Sequence, residues 1–137
     1  MRVVLDTNIL VSALISKSAA PYAIYQAWRD KKLELLTCEA QLNEVREVTR
    51  RIAIAARIKP AEAGLLMNSL RYLARKQTDL PDVQRSSDPK DDFLLALAQA
   101  GQAQYLVTGD KSGLLALKSH KGTKIVKANW FAGRVLS

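Results

Sequence analysis

One cysteine and one histidine are all that the 137 residues offer of the side chains most used for soft-metal binding and proton shuttling. With Cys38 alone no internal disulfide can form, and a single thiol after an apolar run reads as a packed residue. With His120 alone, zinc sites built on Cys and His, catalytic triads and histidine-pair acid–base chemistry are set aside. No apolar run approaches the ~20 residues of a membrane-spanning helix. Met1 leads straight into a strand-like run, with no leader sequence before it, so a cytoplasmic protein without a membrane partner is expected. Acid is the scarcer charge, with 13 Asp and Glu against 21 Lys and Arg, a formal net charge of +8. That balance favours a polyanionic partner, and it makes the placement of the few acids informative.

Hydrophobic residues make up 48% and charged residues 25%, too apolar a mixture for a disordered chain. A chain of this length fits one domain, 1–137, burying roughly two thirds of its unfolded surface. No internal repeat, low-complexity tract or linker points to a second domain.

The informative stretch is Arg2 to Leu10, RVVLDTNIL. Val3, Val4 and Leu5 form a short apolar run suited to a buried parallel strand, and Asp6 follows at once. Ile9, Leu10, Leu14 and Ile15 then repeat at helical spacing, which places the acid on a strand-to-helix turn. A carboxylate there faces the crevice where open α/β sheets bind ligands. The plainer reading is a helix cap, although Thr7 and Asn8 could cap without a charge.

Further along, Pro21 to Asp30 reads as a short helix, Leu33 to Thr37 as a strand and Glu39 to Arg51 as a helix carrying Glu44. Taken alone, Glu44 is a solvated residue able to pair with Arg46, Arg50 or Arg51. Pro60 divides two helices in the basic middle of the chain, the second from about Ala61 to Lys76. These two are a candidate lid over the strand ends or an oligomer surface, and a homodimer is the expected assembly. Thr78 to Val83 is a strand candidate, and Gln84 to Lys90 a polar loop. Asp91 and Asp92 open an apolar helix closed by Gly101. Tyr105 to Val107 is a buried strand ending in Thr108, Gly109 and Asp110, which repeats the arrangement at Asp6. A helix from Leu114 to Lys118, a strand at Ile125 and Val126, and a helix from Ala128 to Leu136 complete the chain.

Alternating strands and helices predict an α/β fold with a parallel sheet covered on both faces. Asp6 and Asp110 then share one rim, the helix opening at Asp92 brings its start back towards it, and Glu44 follows the second strand by one turn. Four such carboxylates repel by about 1–4 kcal/mol per pair unless a cation joins them. Oxygen ligands of this kind suit Mg²⁺ or Mn²⁺.

These residues give the chain a resemblance to the PIN-domain ribonucleases, and in particular to the VapC-like toxins of type II toxin–antitoxin pairs. It rests on VVLDTNILVSAL, Glu44, DDFLLALA and YLVTGDKSGLLAL, which together span Val3 to Leu117. The resemblance implies a three-layer α/β/α fold on a roughly five-stranded parallel sheet. It implies a catalytic metal site of Asp6, Glu44, Asp92 and Asp110, supported by Asn8 and Thr108, that binds Mg²⁺ or Mn²⁺. The activity implied is metal-dependent hydrolysis of RNA phosphodiesters, with an antitoxin protein as partner. One departure bears on a second metal: many relatives carry another acid where this chain has Ser112 and Gly113.

Two other classes fit less well. A phosphoryl-accepting receiver domain would place an acidic pair at the first strand's end, whereas Leu5 precedes Asp6. A non-catalytic RNA-binding or structural protein with a degenerate site fits the basic charge, but all four acids are present; an RNA maturation nuclease is a further alternative. His120 lies in the basic run KSHKGTK and reads as exposed or phosphate-contacting. Lys111, Lys118, Lys121, Lys124 and Lys127 are candidates to hold an RNA backbone. The helical wheel does not choose between Asp91 and Asp92. The resemblance assigns the metal to Asp92 and leaves Asp91 as a capping acid.

Overall fold

The computed structural model describes residues 1–54, 57–109 and 113–136, with the side chains of 52–54 outside the description as well. The first strand, β1 (Arg2–Leu5), alternates its side chains between two separate cores, as the two-residue period of a strand requires. Val3 and Leu5 join one cluster and Val4 the other. The first cluster gathers residues of α1 (Thr7–Ile15), α2 (Ala20–Arg29), α3 (Glu39–Ile54), α4 (Pro60–Tyr72) and α7 (Ala128–Arg134). The second gathers α5 (Asp92–Gly101) and α6 (Leu114–Leu117). The sheet is therefore the middle of three layers, the α/β/α architecture expected.

The sheet order is β3-β2-β1-β4-β6-β5, where β2 is Glu34–Thr37, β3 Arg75–Lys76, β4 Tyr105–Val107, β5 Ser119–His120 and β6 Thr123–Val126. All pairings are parallel except β5 with β6. The expected five-stranded parallel sheet thus gains a sixth, antiparallel edge strand. That strand is made by a tight hairpin in which Lys121 and Gly122 both take positive φ, 47° and 87°, the combination a two-residue turn needs and glycine supplies without strain.

Three local expectations are corrected. The helix expected to reach Lys76 stops at Tyr72, because the Ser69 carbonyl takes the amides of Leu73 and Ala74, and Arg75 and Lys76 pair with β2 instead. The strand expected over Thr78 to Val83 is absent. Residues 77–88 form a strap without helix or strand, which starts at the Gln77 amide on the Thr37 carbonyl and lays Leu80 and Val83 on the second core. Gly101 does not supply the left-handed end of α5. Gln102 does, at φ 53°, while Gly101 is kept small by Leu36, whose methyl a Cβ would overlap.

Among the described residues, no helix is long and apolar enough to cross a membrane.

Candidate functional site

The backbone N–H of Asp6 donates to the Val107 carbonyl at 2.9 Å, and that of Thr108 to Val126 at 3.0 Å. The carboxyl ends of β1, β4 and β6 therefore stand level, and Asp6 and Thr108 meet at the rim. Asp6 is buried, at 7% exposure. Its Oδ2 accepts from the Thr108 hydroxyl at 2.7 Å, and its Oδ1 accepts from the Asn8 amide at 3.2 Å, capping α1. Asp6 is thus both the helix cap of the plainer reading and an acid at the strand end. Two such bonds fix the direction of the carboxylate.

A cavity of about 540 Å³ opens beside it, lined among the described residues by Asp6, Asn8, Ile9, Ser12, Asp88, Asp91 and Gly109. Two of its acids come from a 3₁₀ turn, Pro89–Asp91, that precedes α5, and from the residue that caps it. Asp88 caps this turn by accepting from the Lys90 amide at 3.0 Å, and its carbonyl takes the Asp91 amide at 3.0 Å.

The structure brings Asp91, and not the expected Asp92, to this cavity. Asp92 turns to the strap, where Oδ1 accepts the amides of Ser86 at 2.8 Å and Arg85 at 3.1 Å. Partial burial works to raise its pKa, but the amide bonds from Ser86 and Arg85 outweigh that cost and hold it below the ordinary carboxylate value. Asp110 lies outside the described residues, as do Lys111 and Ser112; Gly109, just before them, lines the cavity. Glu44 is half-buried on α3 and stands apart from the cavity lining. Among the described residues, no salt bridge joins it to Arg46, Arg50 or Arg51.

Sequence reasoning missed Asp88, which it placed in a polar loop, and Gln41. Gln41 is fully buried, accepts from the Thr37 hydroxyl at 2.8 Å and donates to the Leu5 carbonyl at 2.6 Å. It ties α3 to the last residue before Asp6, and Glu44 lies on the same helical face at i+3. A buried-polar signal, a Gln flanked by strand end and apolar helix, was there to be read.

His120 is corrected from exposed to buried, at 5% exposure. Its Nδ1 lies 2.9 Å from Arg85 Nη1 and its Nε2 2.9 Å from Gln99 Oε1. Since a guanidinium only donates, Nδ1 is the acceptor and Nε2 carries the proton. Burial, then the charges of Arg85 and Lys121, push its pKa below the usual histidine value.

In chemical terms the donor set is three carboxylates, a carboxamide and a hydroxyl, with no cationic side chain in the described lining. Oxygen donors of this kind fit a hard divalent cation such as Mg²⁺ or Mn²⁺. Among the described residues, no group of three or more His, Cys, Asp or Glu side chains is already gathered closely enough to hold a metal.

A family model for the PIN domain matches residues 2–112. The fold is similar to a chain in the crystal structure of VapBC2 from Rickettsia felis bound to a DNA fragment from their promoter. The TM-score is 0.54 and the identity 16%, over 93% of this chain and 98% of that one, a likeness of fold. No curated protein matches the chain.

Proposed function

The chain belongs to the PIN-domain family, and on that premise we propose that it is a metal-dependent endoribonuclease, the toxin of a toxin–antitoxin pair. The observation that carries the reading is Asp6, held at the carboxyl end of the central strand by Thr108 and Asn8 and sharing an oxygen-lined cavity with Asp88 and Asp91. The residues proposed to hold Mg²⁺ or Mn²⁺ are Asp6, Asp91 and Asp88, with Asp110 from the resemblance and Glu44 as the remaining acid. Asp92 serves as the anchor of the strap. A bound divalent ion supplies an acidified water and charge neutralisation at the phosphoryl oxygens. Asp6, aimed by its two hydrogen bonds, would give that ion a fixed carboxylate. The exposed Lys127, which follows β6 at the same rim as Asp6, offers a phosphate contact beside the site, while the exposed Lys118, Lys121 and Lys124 lie around the β5–β6 hairpin at the other end of β6, where they could hold RNA farther along its backbone.

The partner in this reading is an antitoxin protein, and the assembly a homodimer. An Arg of the antitoxin paired with the cavity acids would silence the site. Purified protein should cleave bulk RNA in Mg²⁺ or Mn²⁺ and not in EDTA, and Asp6→Asn should abolish cleavage. Retention of RNA without cleavage under all metal conditions would instead identify a non-catalytic RNA-binding protein. Co-expression with the product of the adjacent gene should suppress both cleavage and toxicity. A chain that cleaves RNA yet is harmless when overproduced would be a maturation nuclease. Light scattering after size exclusion tests the dimer.

A further inference from the structure

We propose that Arg85 is a positioning residue for the acid-lined cavity, a claim that rests on the metal-site reading above. Arg85 is not in the cavity lining, and its guanidinium is engaged elsewhere. Nη1 donates one hydrogen to the Ser119 carbonyl at 2.8 Å and the other to His120 Nδ1 at 2.9 Å, both on β5. The strap leaves the sheet at β3, the opposite edge, and crosses the sheet's width before Arg85 seats. Its backbone end is held on Asp92 of α5 by the Arg85 amide, and the Arg85 side chain bridges from there to β5.

Immediately downstream of Arg85, the chain builds one wall of the site. The Arg85 amide and that of Ser86 donate to Asp92, the Ser86 hydroxyl donates to the Asp88 carbonyl, and the same carbonyl takes the Asp91 amide. Asp88 and Asp91, the two acids that join Asp6 in the cavity, are thus carried on a turn whose upstream end is held twice, by its amides on Asp92 and by the Arg85 guanidinium on β5. The acceptor at His120 Nδ1 is available because the ring's other nitrogen is committed as a donor to Gln99 on α5. Arg85 is itself exposed and buries little apolar surface.

Arg85→Ala tests this. In metal-free protein, hydrogen exchange at the Ser86 and Asp91 amides should quicken; unchanged exchange would overturn the proposal whatever the protein does with metal. Mn²⁺ affinity should fall by about tenfold or more, the size seen when a group supporting a metal ligand is removed. In an Asp88→Asn background the same substitution should cost less Mn²⁺ affinity than it does in the wild type, since only Asp91 is then left to position, whereas two losses that simply add would overturn the proposal. His120→Asn keeps an oxygen where Nδ1 stands and should preserve Mn²⁺ affinity. His120→Gln places its amide where Nε2 stands, keeps the Gln99 contact, loses the Arg85 acceptor and should behave as Arg85→Ala. Both remove the same buried ring, so a merely structural role would not separate them, and the reverse order would refute the claim. A wild-type protein that binds no Mn²⁺ would bring down the metal-site reading, and the positioning claim with it, even if the exchange result held.

Discussion

Asp91→Asn and Asp92→Asn apply the same chemical change to neighbouring residues, and the structure predicts different consequences. At Asp92 the change converts two charge-assisted hydrogen bonds, from Ser86 at 2.8 Å and Arg85 at 3.1 Å, into neutral ones. Each conversion costs about 1 kcal/mol, and the lost charge in the first turn of α5 about 0.3–1 kcal/mol. Because an Asn oxygen still accepts the amides, the total is about 1–3 kcal/mol, or a melting temperature lowered by roughly 3–10 °C for a chain of this size. The pH dependence carries a sign. The folded-state pKa of Asp92 is depressed, so its contribution is full above the unfolded value of about 3.9 and is lost as pH falls through the folded value. The gap between wild type and Asp92→Asn should accordingly close in acid. Asp91→Asn should leave the metal-free melting temperature nearly unchanged, abolish the Mn²⁺-induced rise and abolish RNA cleavage. Melting curves with and without Mn²⁺ and a cleavage assay read all of these. If Asp92→Asn lost the metal response while Asp91→Asn kept it, the assignment drawn from the cavity would be wrong and the family-based one right.

Asp6→Asn should abolish cleavage with little loss of stability, because the Thr108 hydroxyl can rotate to accept from the new amide; undiminished cleavage would end the metal-site reading. Millimolar Mg²⁺ or Mn²⁺ should raise the melting temperature of the wild type, by about 1.4 kcal/mol of stability at ten times the dissociation constant, and a flat response in differential scanning fluorimetry would count against the site. Gly101→Ala should destabilise by about 1–3 kcal/mol, since the added methyl must displace the fully buried Leu36, and urea melts would show it. His120 has a folded pKa below its unfolded value, so stability should decline as pH drops from about 6.5 towards the folded pKa. In His120→Asn that segment of the pH–stability curve should flatten.

The fold was largely legible because its signals are strong where burial is complete. Val3, Val4 and Leu5 are each at most 1% exposed, and a run that apolar followed by an acid has few other readings. Two-residue strands such as β3 and β5 have no period to detect, so both edges of the sheet were missed. The false strand over Thr78 to Val83 came from a real signal: Leu80 and Val83 do pack on the core, but from an extended strap with no strand beside it. Asp91 and Asp92 could not be told apart on a helical wheel because Asp91 belongs to the 3₁₀ turn set by Pro89, where successive residues rotate by more than in an α-helix. His120 was misread because its neighbours are basic, while the alternation of a hairpin, invisible in so short a strand, sends it inward.

The Thr108 hydroxyl reaches Asp6 across 102 residues of chain, and the amide of Asp6 closes on Val107. Since β1 is made first and its neighbour β4 comes about a hundred residues later, a growing chain carries its first acid for most of its synthesis with one flank of the central strand unpaired. Non-local pairing of this kind forms late and slowly. A ribosome-tethered chain ending near residue 100 therefore has no assembled site, and on the proposed reading the protein becomes a nuclease only as its last quarter emerges, by which time a partner made beforehand would already be at hand.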